Sequence, residues 1–387
     1  MSDTVDLKKY NFSGANESAI DDLRTLGDED KRQLLMAGID VNETERSGSF
    51  LHMNHSGVHC KSRHEGVEIM DINAALAKYD GLPDYYWKLI DPDKDEYTRA
   101  TRDNCHGGYF IRTEKGAKLT TPVQSCLFIK SQGVGQNVHN IVVVEEDSEL
   151  HIITGCAVAH GVTEAAHLGI SEFYVKKGAK LTFTMIHNWG TETAVRPRSA
   201  GVLEEDAVFL NNYVLLKPVR DLQMYPSLTL NGSGAVARFN SVIVAPEGSH
   251  IDTGNRIILN APNTRGEIIA RTLTTGGTII NRGFIGGYSV PARGHLECKG
   301  LILGSGVIHA IPELEGTQPG VELSHEAAVG KIAQEEIEYL MARGLDEDEA
   351  TSTIVRGFLN VDMDGLPKEL QQAIDQQINE LEAGGAM

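Results

Sequence analysis

From Gly108 to Leu314 the apolar residues come in short alternating or β-branched runs, not at helical spacing: Ile141 to Val144, Leu181 to Met185, Val242 to Val244 and Ile257 to Leu259. Runs of this length bounded by Gly, Asp and Asn read as strands. The boundaries recur. Corner-type segments fall at Gly116 (KGAKL), Asp147 (EEDSEL), Gly178 (KGAKL again), Asp206 (EEDAVF), Gly234 (SGAVA), Gly276 (TGGTII) and Gly304 (LGSGVI), in nearly constant steps apart from a longer one between Gly234 and Gly276. Gly248 (PEGSHI) marks the half step inside that longer interval. A strand brought to the same place once per coil cannot bury its apolar face alone. It does so by stacking on the next coil, which is the physics of a solenoid. The expected fold is mainly β, a parallel β-solenoid over residues 101–322, with an N-terminal mixed and helical region over 1–100 and a C-terminal helical domain over 323–387.

The flanks change period. Helical stretches are expected around Ile20 to Leu26 and Asp28 to Met36. Ile72, Ala75, Leu76 and Tyr79 mark another helix, stopped by Gly81-Leu82-Pro83, with a short one from Asp84 to Leu89 after it. Near the C-terminus, Ile337, Leu340 and Met341 lie on one helix closed by Gly344. Asp346 and Glu349 form a capping-box pattern, opening a helix with Ala350, Ile354 and Phe358 on one face. A third helix, from near Pro367, carries Leu370, Ile374, Ile378 and Leu381. Such stripes are more often internal packing than partner docking, yet three short helices at a solenoid end have little core to cover.

Composition narrows the function. Thirty-five basic against 54 acidic residues leave a formal charge of −19 without a basic stripe, which disfavours a nucleic-acid partner. The opening MSDTVDLKKY lacks the apolar segment of a secretion signal, and no apolar run is long enough to span a bilayer. A soluble cytoplasmic protein is expected. Five cysteines, Cys60, Cys105, Cys126, Cys156 and Cys298, form no C-x-x-C pair and fit reduced thiols. With only two Trp and 6% aromatics, the aromatic cleft of a carbohydrate-active solenoid is missing. The glycine-rich GGTIINRGFIGG has no P-loop Lys-Ser/Thr and reads as coil corners, so nucleotide hydrolysis is not expected of this chain.

Cys298 lies in RGHLECKGLILG beside His295 and Glu297, and about one corner step before His325 and Glu326 of SHEAA. These residues therefore stand roughly one rung apart. Thiolate, imidazole and carboxylate together are a ligand set for iron, an iron–sulfur cluster or zinc. The plainer reading, a buried thiol and a surface imidazole near a domain junction, has the same spacing. Cys156, in IITGCAVAHG, reads by default as a small core residue, as do Cys105 and Cys126. His52, His55, His59, Cys60 and His64 offer zinc-ligand types, but Asn54, Ser56 and Gly57 between them argue for a loop that fixes no geometry.

The stretch HEAAVGKIAQEEIEYLMARGLDEDEATSTIVRGFLNVD (His325 to Asp362) resembles the C-terminal signature of the SufB/SufD family, scaffolds of the SUF iron–sulfur assembly system. LHIITGCAVA (Leu150 to Ala159), IHNW (Ile186 to Trp189) and ECKGLILG (Glu297 to Gly304) resemble its internal landmarks, and the likeness runs from about Asp71 to Asp362. The resemblance implies a right-handed parallel β-helix. It implies that Cys298, with His325, Glu326 and Glu297 around it, is where a transient [4Fe-4S] cluster is assembled, and that Cys156 is an interior thiol accepting sulfur. It implies as partners a SufC-type ABC ATPase gripping about Gln334 to Asn360, a SufB- or SufD-type second subunit, a cysteine desulfurase or other sulfur donor, and apo iron–sulfur proteins. Cys298 and Glu326 are SufB-like features. Departures are His187, where that pattern commonly has Gln, and a short N-terminal extension. The rival reading is a SufD-like structural subunit that docks the ATPase without holding a cluster.

Overall fold

A computed structural model describes residues 4–14, 17–80, 82 and 84–359. The repeat produces two stacked sheets that face one another across a shared interior. Sheet A has ten strands, running from the hairpin Gly48–Met53 and Ser56–Ser62 through Val123–Ile129, Glu149–Val158, Lys180–Asn188, Val208–Leu215, Val236–Ala245, Thr264–Thr274 and Ala292–Ile302 to Val321–Gly330. Sheet B has eleven and ends on Val307–Gly316. Coil strands pair in parallel with the equivalent strand of the next coil, each chain segment crossing from one sheet to the other. The fold is a mainly β solenoid with helices at its ends.

Alternation decides what lies inside. In sheet A, Ile152, Phe183, Asn211, Phe239, Ile268, Leu296 and His325 share one register position facing the interior. The next inward row is Ser125, Thr154, Met185, Tyr213, Ser241, Ala270, Cys298 and Ala327. Phe183, Phe209, Phe239 and Leu296 from sheet A meet Phe173, Leu228, Ile257 and Ile285 from sheet B in one continuous core.

The corners explain the interrupted spacing. Gly116, Asp147, Gly178, Asp206 and Gly234 all have left-handed backbone and stack at one corner, and Asn263 (φ 61°) is the sixth. Gly248 and Gly304 belong to the opposite corner, as does Gly276, so the long step before Gly276 is a change of corner. A ladder joins successive corners: Asp147 N donates to Lys177 O at 2.9 Å and Gly178 N to Glu205 O at 2.8 Å. At Gly178 a Cβ would stand 2.4 Å from the Asp147 carboxylate, so glycine meets both the φ of +65° and the stacked neighbour.

The flanks follow the sequence in part. Helices α1 (Asp28–Met36) and α2 (Ile72–Lys78) form where the periodicity puts them, while α3 (Glu96–Asp103), which it left out, forms behind an Asp95 capping box. Ile20 to Leu26 holds only a 3₁₀ turn, Leu23–Thr25. Asp84 to Leu89 is not helical. Trp87 has φ 54°, and the N–H groups of Trp87, Leu89 and Ile90 all turn to the buried carboxylate of Glu172, at 2.8, 2.5 and 3.3 Å. The segment around His52 is a β-hairpin turning at Asn54, not a loop, and it joins sheet A. The coil also runs further than expected: Val321–Gly330 is its last strand among the described residues, so His325 and Glu326 belong to the solenoid and the helices start only at α4 (Gln334–Met341). Gly344 closes α4 with φ 100°, and Asp346 and Glu349 exchange capping bonds of 2.8 and 3.0 Å at the start of α5 (Glu347–Leu359). The stripe from Leu370 to Leu381 lies outside the described residues.

Candidate functional site at the open end of the solenoid

Alternation along Ala292–Ile302 sends Leu296, Cys298 and Gly300 inward and His295, Glu297 and Lys299 outward. Cys298 faces Ala327 on the last strand, and His325 faces Leu296. Cys298 and His325 are thus both inward, on adjacent strands and two positions out of register, which puts their Cα atoms roughly 8 Å apart. Among the described residues no coil strand stacks on the last rung, so His325 is exposed although its position is an inward one. Cys298, one rung deeper, is 1% exposed. Above it stand small residues, Ala327 in sheet A and Ala310 in sheet B. Burial, then the Glu297 charge, pushes the Cys298 thiol up to about 11, and a hydrogen bond from the Asn281 side chain opposes them.

Glu297 and Glu326 are direct partners across the same two strands, but on the outer face. Arg271 pairs with Glu297, and the Lys299 ammonium bridges Glu297 at 3.4 Å and Glu326 at 3.1 Å. The Glu297 carboxyl is held below its usual range because these cations outweigh its burial. The four residues expected together therefore fall into two pairs: a thiol and an imidazole inside, two ion-paired carboxylates outside. The parity of Glu297 and Cys298 in a strand already carries that separation. Arg271, Lys299 and Asn281 were missed because each lies off the Cys–His spacing, Asn281 in the opposite sheet.

Cys156 lies five strands back along sheet A, roughly 24 Å down the axis. It too points inward, is 2% exposed, and sits between Leu127 and His187 in register. His187 is hydrogen-bonded through Nδ1 to the Tyr213 hydroxyl at 2.9 Å, and burial keeps the imidazole neutral and the Cys156 thiol protonated. From outside, Ala37 and Ile39 press so closely on Gly155 that a Cβ there would meet the Ala37 carbonyl at 2.5 Å. Between the two thiols the interior is filled, with a void of about 20 Å³ beside Phe183, Tyr213, Phe239 and Asn255, room for about one water-sized group.

The histidine-rich hairpin disperses its ligands. His52 faces inward with neither ring nitrogen bonded, His55 binds the Asn11 and Gly135 carbonyls, and His59 binds the Ile20 carbonyl and Glu43. His64 is exposed, and the Cys60 thiol donates to the Ile69 carbonyl. Among the described residues no group of three or more His, Cys, Asp or Glu is gathered as metal ligands, and no helix is long and apolar enough to cross a membrane.

Helix α5 covers an outer apolar stripe of sheet A. Val355 and Leu359 pack with Ile186, Val214, Val242 and Leu273, and Phe358 lies partly against them. The demand of that stripe sets the rotation of the helix. Ala350 is consequently wholly enclosed, not open to a partner as expected, while Ile354 and Phe358 stay half-buried.

The solenoid thus holds one buried thiol beneath its last described rung and a second deep in its interior. Residues 127–358 match the family model described as SUF system FeS cluster assembly, SufBD core domain. The chain is 52% identical over 350 residues, 90% of its length and 94% of the relative's, to an iron–sulfur cluster assembly SufBD family protein of Archaeoglobus fulgidus. It is 44% identical over 373 residues, 95% of its length and 91% of the relative's, to one of Methanothermobacter thermautotrophicus. It is 31% identical over 316 residues to the iron–sulfur cluster assembly protein SufB of Bacillus subtilis, covering 79% of this chain and 66% of that one. The chain belongs to the SufBD family of iron–sulfur cluster assembly proteins.

Proposed function

We propose that this chain is the cluster-holding, SufB-type member of its family. In this reading iron and sulfide gather at Cys298 and His325, a transient [4Fe-4S] cluster is assembled there as cargo, and it passes to apo-proteins. The observation that carries the reading is the position of Cys298, inward and one rung below an open coil end, beneath Ala327 and Ala310. Among the described residues no strand caps this rung, and a strand edge left free favours a partner stacked on it. A second copy or a SufD-type subunit meeting it end to end would bring two thiol–imidazole sets together, and a mixed sulfur and nitrogen set releases its product more readily than four thiolates. Glu297 and Glu326 join as ligands only where Arg271 and Lys299 give them up. Cys156 accepts sulfur from a cysteine desulfurase or another donor. ATP is turned over by a SufC-type ATPase on the α4–α5 segment, engaged through the half-exposed Ile354 and Phe358, and the chain itself is no enzyme.

Anaerobic reconstitution with iron and sulfide, followed by visible and Mössbauer spectra, tests this. Wild type is expected to show a cluster, and Cys298→Ser to lose most of it. A variant that holds a wild-type cluster removes Cys298 from the site. The alternative, a SufD-like subunit that docks the ATPase without a cluster, is favoured by one observation, the ion pairing of both carboxylates on the outer face. It predicts that Cys298→Ser changes nothing in reconstitution.

A further inference from the structure

Helix α5 lies on the outer face of sheet A over Val214, Val242 and Leu273, toward the far ends of the strands. The near halves of the same strands carry a different surface. There Val236, Arg265 and Arg293 share one outward register position, and Leu210 and Arg238 share the neighbouring one. These side chains line a groove across the last rungs, partly buried at Leu210, Val236 and Arg238 and exposed at Arg265 and Arg293. Arg238 pairs with Glu267 at 3.3 Å, and Arg293 with Glu322 at 2.9 Å on side chains two-thirds open to water, where an ion pair is worth little. The Arg265 guanidinium has no ion-pair or hydrogen-bond partner among the described residues. In a chain of net charge −19, an apolar floor bordered by three arginines is a local reversal of sign, and the ligand that complements it is acidic and amphipathic.

We propose that this chain's own C-terminal segment, residues 360–387, docks in the groove as an acidic amphipathic helix. It carries six acidic residues, Asp362, Asp364, Glu369, Asp375, Glu380 and Glu382, against one basic residue, Lys368. Drawn at about 100° per residue, Leu370, Ile374, Ile378 and Leu381 form one stripe, with Glu369 and Glu380 along one flank and Asp375 and Glu382 along the other. The stripe matches the floor of Leu210 and Val236 and the flanks match the arginines, so apolar burial supplies the affinity and charge sets the register. The tether fits as well. The segment follows Leu359, which packs in the same cluster as Val242, and Arg238 and Val236 lie roughly 13–20 Å from Val242 along their strand. The stretch from Leu359 to Leu370 reaches up to about 36 Å when extended. A tethered segment meets the groove at high effective concentration, which favours it over the same segment of a second copy. The inference is independent of the cluster reading of Cys298.

Crosslinking in the full chain tests this. A water-soluble carbodiimide joins a carboxylate to an amine but not to a guanidinium, so Arg265→Lys places a reporter in the groove, and Arg220→Lys, exposed beside sheet B, is the control. Unlabelled and nitrogen-15-labelled chains are mixed before the reaction, and the joined peptides are read by mass spectrometry. The expected product joins position 265 to Glu369, Asp375, Glu380 or Glu382, in yield at least about tenfold above the control, with both peptides carrying the same label. Ile374→Asp with Ile378→Asp, added to Arg265→Lys, is expected to lower that yield by at least about tenfold while far-ultraviolet circular dichroism keeps its strand signature. Absence of the product in folded Arg265→Lys overturns the inference, as does an equal yield in the control. Peptides of mixed label overturn it in favour of a second copy. A yield that survives Ile374→Asp with Ile378→Asp reduces the contact to a charge encounter and overturns the docked helix.

Discussion

Lowering the pH from 7.5 to 5.0 should destabilise this fold more than its acidic composition suggests, because the solenoid interior is lined by neutral histidines. His52 is wholly buried with both ring nitrogens unbonded, and burial is the first cause that holds it down to about 3. His167, bonded through Nδ1 to Gln136 at 3.0 Å, is also held at about 3 by burial. The sign follows from linkage: a folded pKa below the unfolded value of 6.5 means the unfolded chain binds the proton first, so the stability is present above pH 6.5 and is lost as the pH falls toward 3. At pH 5 each contributes a loss of roughly 2 kcal/mol, about 4 for the pair, against a typical total of about 5–15 kcal/mol. His106 and His151, each held near 4 by burial, add to this, by less because they are partly exposed. Urea unfolding followed by circular dichroism across this range measures it. The slope near pH 5 should reach at least about 2.7 kcal/mol per pH unit, two protons taken up on unfolding. His52→Phe and His167→Asn should each flatten it by about one proton. A transition that stays put between pH 7.5 and 5.0, or variants with the wild-type slope, would refute the account of the interior as a neutral, proton-excluding lumen.

Two further outcomes bear on function. Ile354→Asp should leave the solenoid folded and abolish co-purification with a SufC-type ATPase, since an apolar anchor dominates such contacts, whereas Val355→Asp should cost about 2–5 kcal/mol in urea unfolding by opening the outer cluster under α5; unchanged ATPase affinity in Ile354→Asp places the docking site elsewhere. Cys156→Ala should cost on the order of 1 kcal/mol, fail to build clusters with desulfurase and cysteine, and be partly rescued by free sulfide; a wild-type cluster rate with cysteine takes Cys156 out of the sulfur route.

The solenoid was legible because its signal is redundant: Asp147, Gly178, Asp206 and Gly234 each mark a corner independently, and each is demanded by backbone of positive φ. Register was only half legible. The spacing from Cys298 to His325 puts them on adjacent rungs, as the strands show. A full coil at this end, however, runs from Cys298 to Ala327, and His325 falls two positions short of it, which separates thiol and imidazole along the strand. Face was legible and went unread, since Glu297 next to Cys298 in a strand must point the other way. What the sequence could not supply is the company each side chain keeps across the lumen or outside the coil. Glu172 gives no local sign that it will collect three backbone N–H groups from Trp87 to Ile90, and that long-range demand turned an expected helix into a turn. The His52 hairpin failed for the same reason: His55 and His59 are satisfied by Asn11, Ile20 and Glu43, partners remote in sequence, and a cluster in sequence becomes a dispersal in space.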